Sequence, residues 1–406
     1  MNRRARRRQG ENTRSVHLPA PQTPRQAPLG LPVWRSSAWS SADSAGHAEV
    51  FDAKSSAHGR IENPTTAAFA AAVASLEGAA APEDVAGQAF ASGMAAVSAV
   101  LMTFLRAGAH IVAPTPLYGA TRSLITNVLS RFGVEAGFVN YGDLARVQAA
   151  IRPTTKIIYA ETLSNPTTAV SDIRGLYRIA RRAGALLVVD STFATPVVCR
   201  PLEHGADMVI HSAARYLGGH DDCAGGVVVG RPDLIAQLRK VSVDTGGTLS
   251  PDDAFLLRRG LETLPLRVRR MCATAMVFAA AVAKHPAVRR VDYPGLPGHP
   301  GHQLARHLFD SGPEGTRYGA CVTITPRGGY GAGMALTDAL KLASIATSAG
   351  GTRTKVTHLA SAGHGRPGDA SGIDAAAVRF SIGLEDAEDL IVDVTQALDS
   401  LPESAG

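Results

Sequence analysis

The chain contains few cysteines and no long apolar run, and each absence excludes a class of protein. The four cysteines, Cys199, Cys223, Cys272 and Cys321, show no CxxC spacing, which argues against a structural zinc site or a disulfide scaffold. No run reaches the roughly eighteen apolar residues of a transmembrane helix, and the N-terminus lacks the apolar segment of a signal peptide. We therefore expect a cytoplasmic protein with reduced thiols, no metal site and no membrane association.

Lysine is also scarce, with 6 lysines against 35 arginines, and the net charge of +6 is unevenly placed. Residues 1–25 contain seven arginines and one acid, so this segment carries the whole excess and the remainder is neutral. A basic arm can bind phosphates without reading sequence. No aromatic residue lies among these arginines and no nucleic-acid motif follows. The pattern favours a solvated, disordered tail and an N-terminal arm over residues 1–59, without a nucleic-acid partner.

A regular alternation of helical and strand patterns begins near residue 64. Asn63-Pro64 followed by spaced apolar residues predicts a capped helix, and residues 172–183 predict another. Short, wholly apolar runs lie between such helices, as in a parallel sheet buried on both faces. We predict an α/β domain over 60–245, with strands at His110–Ala113, Lys156–Ala160, Leu186–Val189, Met208–Ile210 and Val227–Val229.

The remaining residues, 246–406, predict a smaller C-terminal α/β domain. Residues 253–264, stopped by Pro265, and the Ala-rich run 273–284 have helical patterns. Strands are expected at 321–325 and 378–382, and a closing helix at 385–398. The Gly-rich stretch 329–333 lacks the strand, helix and Lys-Ser/Thr of a phosphate loop, so we predict a turn there.

Polar residues at the carboxyl ends of parallel strands are the first candidates for a ligand site. Asp190 ends an apolar run, and two roles for its carboxylate are equally consistent with the sequence. It pairs with a cationic ligand atom such as a protonated pyridine nitrogen, or it caps the turn through Ser191 and Thr192. The turn at Ser92-Gly93-Met94 opens a helix, where backbone N–H groups can receive a phosphate. A polar cluster at 211–220 follows another strand and fits a ligand or a surface loop equally well.

A series of short motifs in a fixed order gives these candidates a context. The chain resembles the transsulfuration (Cys/Met metabolism) family of pyridoxal-phosphate (PLP) enzymes, which includes cystathionine γ-synthase, cystathionine γ-lyase and methionine γ-lyase, over residues 50–400. The resemblance implies the fold-type I architecture of the aspartate-aminotransferase class, with a large, mostly parallel sheet and a smaller C-terminal domain. It rests on Asn63-Pro64-Thr65, Ala91-Ser92-Gly93-Met94-Ala95, Leu117-Tyr118-Gly119, Glu161-Thr162-Leu163-Ser164-Asn165-Pro166, Val189-Asp190-Ser191-Thr192, Arg200-Pro201-Leu202, Gly205-Ala206-Asp207, Tyr216-Leu217-Gly218-Gly219-His220 and Arg379-Phe380-Ser381-Ile382-Gly383-Leu384-Glu385-Asp386.

The same resemblance implies a role for individual residues. The cofactor phosphate is expected at Gly93, Met94 and Ser212, with Arg60 reaching it from a neighbouring subunit. Tyr118 is expected to stack on the pyridine ring, whose nitrogen pairs with Asp190. Arg379 is expected to bind the substrate carboxylate, helped by Asn165 and Ser348.

One residue that the family needs is replaced. The run Ser212-Ala213-Ala214-Arg215 places arginine where the family has the lysine that bonds to the cofactor. An arginine guanidinium remains protonated, so Arg215 is neither an imine-forming amine nor an ordinary proton shuttle. Ala214 and His58 further replace a phosphate-binding threonine and tyrosine.

Three functions remain open from the sequence. The first is a PLP-dependent lyase or transferase that binds its cofactor non-covalently and acts at the β or γ carbon of a sulfur- or oxygen-substituted amino acid. Its general base would be Tyr118, His58 or His220. The second is a catalytically silent structural or regulatory subunit. The third is a PLP-independent reaction in which Arg215 binds an anionic substrate. The resemblance implies a homotetramer, and hetero-assembly with an active relative is a further possibility.

Overall fold

Two β-sheets organise the chain in the computed structural model, which describes residues 10–19, 29–52, 58–78, 81, 84–363 and 373–401. The large sheet has seven strands and the smaller sheet has five, with a separate two-stranded ribbon. The strands are β1 Ala86–Phe90, β2 His110–Pro114, β3 Glu135–Val139, β4 Thr155–Glu161, β5 Leu186–Asp190, β6 Met208–Ser212, β7 Gly226–Gly230, β8 Val288–Asp292, β9 Ser311–Gly312, β10 Gly315–Thr316, β11 Cys321–Pro326, β12 Ser344–Ile345, β13 Lys355–His358 and β14 Val378–Ser381.

Helices cover these sheets and connect their strands. They are α1 Glu11–Val16, α2 Ser44–Asp52, α3 Pro64–Glu77, α4 Gly93–Phe104, α5 Gly119–Ser123, α6 Leu144–Ala150, α7 Ile173–Ala183, α8 Thr195–Val198, α9 Pro232–Thr245, α10 Pro251–Glu262, α11 Leu264–Val282, α12 His302–Leu308, α13 Gly329–Ala339 and α14 Ala387–Asp399. Asn63 caps α3, since its side-chain oxygen accepts the N–H groups of Thr65 and Thr66. This confirms the helix start predicted at Asn63-Pro64.

The large sheet is mostly parallel, as predicted. Its strand order is β1-β7-β6-β5-β4-β2-β3, and the five strands from β6 to β3 run parallel. Strand β7, which contains the predicted run 227–229, is instead antiparallel to both of its neighbours. The reason is its connection: residues 213–225 join β6 to β7 without the helical crossover that a parallel pair needs.

The central strands are buried on both faces. Alternate residues of β4, β5 and β6 belong to opposite apolar layers: Ile158 and Val189 pack in one, and Tyr159 and Val188 in the other. This is why these strands read as continuous apolar runs in the sequence. The parallel strands β4, β5 and β6 end side by side, so Glu161, Asp190 and Ser212 reach the same edge of the sheet.

The Gly-rich stretch 329–333, predicted as a turn, is the first part of helix α13, so that prediction is wrong. Glycine is a poor helix former, but this helix buries Ala332, Gly333 and Leu336. A Cβ on Gly333 would lie 2.6 Å from the carbonyl oxygen of Ala376. Close packing against the small domain therefore outweighs the low intrinsic propensity.

Pro265 has a different position from the one expected. Helix α10 ends at Glu262, and α11 begins at Leu264 with Pro265 in its first turn. Proline is tolerated there because the first helical N–H groups have no intrahelical acceptor. The predicted helix at 273–284 is thus the second half of a longer helix.

Part of the N-terminal arm packs on the body of the protein. Helix α1 places Glu11 against Arg317 and Arg269, with nitrogen-oxygen distances of 2.9 and 2.6 Å. Ser15 and Leu18 are buried. Residues 10–19, predicted to belong to a solvated tail, thus pack on the body, while residues 1–9, 20–28 and 53–57 of the predicted tail and arm lie outside the described residues. In the described part of the chain, no helix has the length and apolar character needed to cross a membrane.

Candidate active site

A cavity of about 280 Å³ lies at the carboxyl ends of β4, β5 and β6. Its wall also includes the start of α4, the loop before α5, residues 347–349 and one residue of β14. The fold therefore gathers residues from both sheets around one space. Nine of the residues predicted from sequence line it: Gly93, Met94, Tyr118, Asn165, Asp190, Ser212, Arg215, Ser348 and Arg379.

The start of α4 forms one wall of the cavity. The Ser92 hydroxyl accepts the Ala95 N–H at 3.0 Å, which leaves the amides of Gly93 and Met94 at the open end of the helix. A Cβ on Gly93 would lie only 2.7 Å from the hydroxyl oxygen of Ser212. Glycine thus allows two backbone amides and a hydroxyl to converge beside a helix N-terminus, an arrangement suited to an anion.

Asp190 lies at the end of β5, where the structure shows the capping interaction and leaves the pairing with a cationic ligand atom a prediction. Its Oδ1 accepts the Thr192 N–H at 3.0 Å, and its Oδ2 accepts a longer hydrogen bond of 3.4 Å from the Tyr159 hydroxyl. The carboxyl group caps the turn and also lines the cavity. Burial raises its pKa. A cationic ligand atom would therefore compensate a carboxylate that has no cationic side chain bound to it among the described residues.

Glu161 is a site residue that the sequence reasoning did not single out. It is buried at the end of β4 and pairs with Asp190 across the parallel strands. Its Oε1 accepts the Tyr118 N–H at 3.0 Å and its Oε2 accepts the Asn165 N–H at 3.2 Å. Burial, reinforced by nearby Asp190, raises the pKa of Glu161 to about 8. Glu161 thus holds two loops of the site, and its position after an apolar run was the same signal that identified Asp190.

Two arginines also line the cavity. Arg379 on β14 donates from Nη1 to Asn165 Oδ1 at 2.6 Å and from Nη2 to the Ser348 carbonyl at 3.3 Å. Arg215 follows β6 and donates from Nη1 to the Ser348 hydroxyl. The fold therefore brings Arg379, Asn165 and Ser348 together, and their binding of a substrate carboxylate stays a prediction. A guanidinium has five donors, so both groups retain N–H groups for a ligand.

Three predicted residues do not line this cavity. His58 and His220 are exposed, and each uses its Nδ1 in a local contact, with the Arg60 amide and the Gly218 carbonyl respectively. Arg60 lines a second cavity and bonds to the Val243 carbonyl. The role of Arg60 was predicted across a subunit boundary, which one chain does not test. All three roles stay predictions.

The mixed α/β fold, with its cavity at the strand ends, is that of the fold-type I PLP-dependent enzymes. The family model described as "Cys/Met metabolism PLP-dependent enzyme" matches residues 12–399. An L-methionine gamma-lyase of Fusobacterium nucleatum is 38% identical over 382 residues, which cover 92% of this chain and 94% of that protein. The chain belongs to the Cys/Met metabolism family of PLP-dependent enzymes.

Solved structures agree with this membership. The structure of metB from Corynebacterium glutamicum has a TM-score of 0.90 and 35% identity, and the match covers 97% of this chain and 99% of that one. A putative O-acetylhomoserine (thiol)-lyase (metY) from Campylobacter jejuni has a TM-score of 0.88 and 28% identity, with 96% and 100% covered. That structure contains N′-pyridoxyl-lysine-5′-monophosphate. The family resemblance, the fold class and the PLP dependence of the family predicted from sequence are confirmed.

The residues of the cavity fit most of this cofactor. The amides at the start of α4 and the Ser212 hydroxyl suit its phosphate, and the uncompensated Asp190 carboxylate suits its ring nitrogen. Because residue 93 is glycine, no side chain fills the space beside these phosphate-binding groups. Among the described residues, however, no lysine lines the cavity. The described cavity therefore has groups suited to the ring and the phosphate, and none of its described lining residues carries an amine.

Proposed function

We propose that this protein binds PLP without a covalent bond and catalyses β- or γ-elimination or replacement on a sulfur- or oxygen-substituted amino acid. The observation that carries the proposal is that one cavity combines Asp190 and Ser212 with the Arg379–Asn165 contact. A protein that only served as a scaffold would have no physical need for a carboxylate-binding guanidinium beside a buried carboxylate. Bound PLP would supply an electron sink for the substrate carbons.

The side chains of this chain would bind and orient the substrate. Arg379, held by Asn165 and Ser348, would bind the substrate carboxylate through a planar pair of N–H donors. Glu161 would fix the backbone at Tyr118, whose ring lies at the cavity wall and whose hydroxyl is the candidate proton carrier. Arg215 would remain a cation and would not exchange protons with the substrate.

The proposal is tested by recording the absorption spectrum of the purified protein during titration with PLP, first alone and then with L-methionine, L-cystathionine or O-acetyl-L-homoserine. We expect a saturable change in the cofactor band that disappears on dialysis and is not fixed to the protein by borohydride. Absence of any bound-cofactor band in both titrations contradicts the proposal. A band that survives dialysis and is fixed by borohydride contradicts the non-covalent part.

The variant Arg215→Lys tests whether only the amine is missing. We expect it to bind PLP covalently, so that borohydride fixes the cofactor to the peptide containing position 215, and to gain lyase activity. Arg106→Lys is the matched control, because Arg106 is exposed at the far end of α4 from the cavity. If Arg215→Lys binds no cofactor, we conclude that the phosphate site, which has Ala214 in place of a threonine, no longer binds PLP.

A catalytically silent subunit is the second candidate, and the presence of Arg215 in the cavity favours it. In that case the chain would assemble with itself or with a lysine-bearing relative. Co-expression with such a relative, followed by native mass spectrometry, distinguishes the two. A stable mixed oligomer whose activity depends on this chain supports the silent subunit, and a homo-oligomer with its own turnover excludes it.

A further inference from the structure

The two guanidinium groups of the cavity converge on one residue. Arg215 donates to the hydroxyl of Ser348, and Arg379 donates to the carbonyl of the same residue. Arg215 comes from the loop after β6 of the large sheet, whereas Arg379 comes from β14 of the smaller sheet. The fold therefore brings two cations from separate sheets to one side of one cavity.

Among the residues that the structure describes, no carboxylate neutralises either cation. Within the described part of the chain, the hydrogen bonds of both guanidiniums go to neutral oxygens, those of Ser348 and Asn165, and neither group forms an ion pair with an Asp or Glu side chain. Arg379 is buried, and its Nε has no hydrogen-bond partner. Two neighbouring cations in a sheltered cavity repel each other unless an anion joins them.

The acids of the cavity do not supply that anion. Glu161 and Asp190 lie at the strand ends, where their oxygens accept backbone N–H groups and the Tyr159 hydroxyl. Arg35 and Arg152, by contrast, are each paired with a carboxylate, and the buried Arg267 donates to the backbone carbonyls of Tyr216, Leu217 and Gly260. In this cavity two guanidiniums instead lie together at an open space, and Nε of Arg379 has no hydrogen-bond partner among the described residues. This arrangement calls for a ligand with more than one negative group.

We propose that Arg215 and Arg379 form a paired-guanidinium site for an amino acid with a second acidic group on its side chain. The assignment rests on the proposed function for one point, the placement of the α-carboxylate at Arg379. Arg215 then binds the side-chain acid and determines specificity. An arginine at the position where the family has lysine therefore changes which amino acids the site binds. Asn165 and Ser348 orient the two cations and keep them apart.

Isothermal titration with L-glutamate and L-glutamine tests this site, since the two probes differ only in a carboxylate and an amide. Titrations use both PLP-saturated and PLP-free protein. We expect glutamate to bind on the order of tenfold more tightly, because a charge-assisted hydrogen bond replaces a neutral one. The preference should decrease as salt concentration rises. Equal affinity for the two probes, or binding of neither, overturns the proposal.

The variant Arg215→Met removes the second cation and retains an unbranched side chain. We expect the preference for glutamate to disappear while glutamine binding changes little, and Arg106→Met to behave as the unaltered protein. A preference for glutamate that persists in a folded Arg215→Met protein overturns the proposal. If the variant does not fold, the comparison of glutamate with glutamine in the unaltered protein is the test. Loss of the PLP spectral change with retained glutamate preference would count against the proposed function alone.

Discussion

The two ends of the cavity are built in different ways. At the strand ends, Glu161 and Asp190 belong to the large sheet, and their oxygens accept the backbone N–H groups of Tyr118, Asn165 and Thr192 and the Tyr159 hydroxyl. At the other end, Arg215 and Arg379 reach Ser348 from different sheets and have no acid partner in the described chain. The acidic groups are held by hydrogen bonds, most of them from backbone N–H groups, whereas the cationic groups come from two different sheets and lack, within the described ranges, an acidic partner that a ligand could supply. Substitutions at each end should therefore have different consequences.

The largest effect is expected from Arg379→Met at the cationic end. Loss of a bidentate, charge-assisted contact should weaken amino-acid binding by about a hundredfold, because one such contact contributes roughly 2–3 kcal/mol. Isothermal titration with L-glutamate measures the change, with Arg106→Met as the control. Unchanged affinity would show that the carboxylate binds elsewhere and that the cationic end has another function.

A smaller effect is expected from Asp190→Asn at the acidic end. The amide oxygen can still accept the Thr192 N–H, but the charge that would pair with a protonated ring nitrogen is lost. PLP affinity should fall by about tenfold, while the fold is retained, since an ion pair with a buried group is strong and the turn keeps its cap. Absorbance titration with PLP measures the affinity, and thermal melting measures the fold. Equal PLP affinity in the variant contradicts the pairing.

The acidic end also predicts a dependence of stability on pH. Burial raises the pKa of Glu161 to about 8, above its value in the unfolded chain. Such a group stabilises the fold most at low pH, and this contribution is lost as the pH rises through the folded-state pKa. The melting temperature of the unaltered protein, relative to Glu161→Gln, should therefore fall between about pH 4.5 and about pH 8. Parallel melting temperatures across this range contradict the prediction.

The smallest effect is expected from Ser348→Ala. This change removes the hydroxyl that orients Arg215 and leaves the carbonyl that Arg379 uses. The preference for glutamate over glutamine should decrease by about threefold, as for loss of one neutral hydrogen-bond acceptor. Thr347→Ser, at the neighbouring position in the cavity wall, is the matched control. If Ser348→Ala weakened glutamate binding more than Arg379→Met does, the ranking of the two cations would be reversed.

The same contrast explains what could be predicted from the sequence. Asp190 and the helix start at Asn63 were found because local patterns determine them: an apolar run that ends in a carboxylate, and a cap followed by proline. Glu161 has the same local pattern as Asp190, because each acid ends a buried, apolar strand. The α13 helix was missed because packing around Gly333, and not its own propensity, determines it.

The contacts of Arg379 lie beyond any local pattern. Asn165 and Arg379 are 214 residues apart and belong to different parts of the fold. Their association followed from the family resemblance, and no spacing or periodicity in this chain predicts it. The meeting of Arg215 and Arg379 at Ser348 required the three-dimensional structure.

The contact between Gly93 and Ser212 limits how this protein can evolve. A methyl group at position 93 would lie 2.6 Å from the Cβ of Ser212, closer than two carbon atoms pack. A side chain at position 93 would also lie 2.9 Å from the Cα of Ser212, so it would require the backbone at position 212 to move. Position 93 is therefore restricted to glycine for as long as the Ser212 hydroxyl stays in the anion-binding wall.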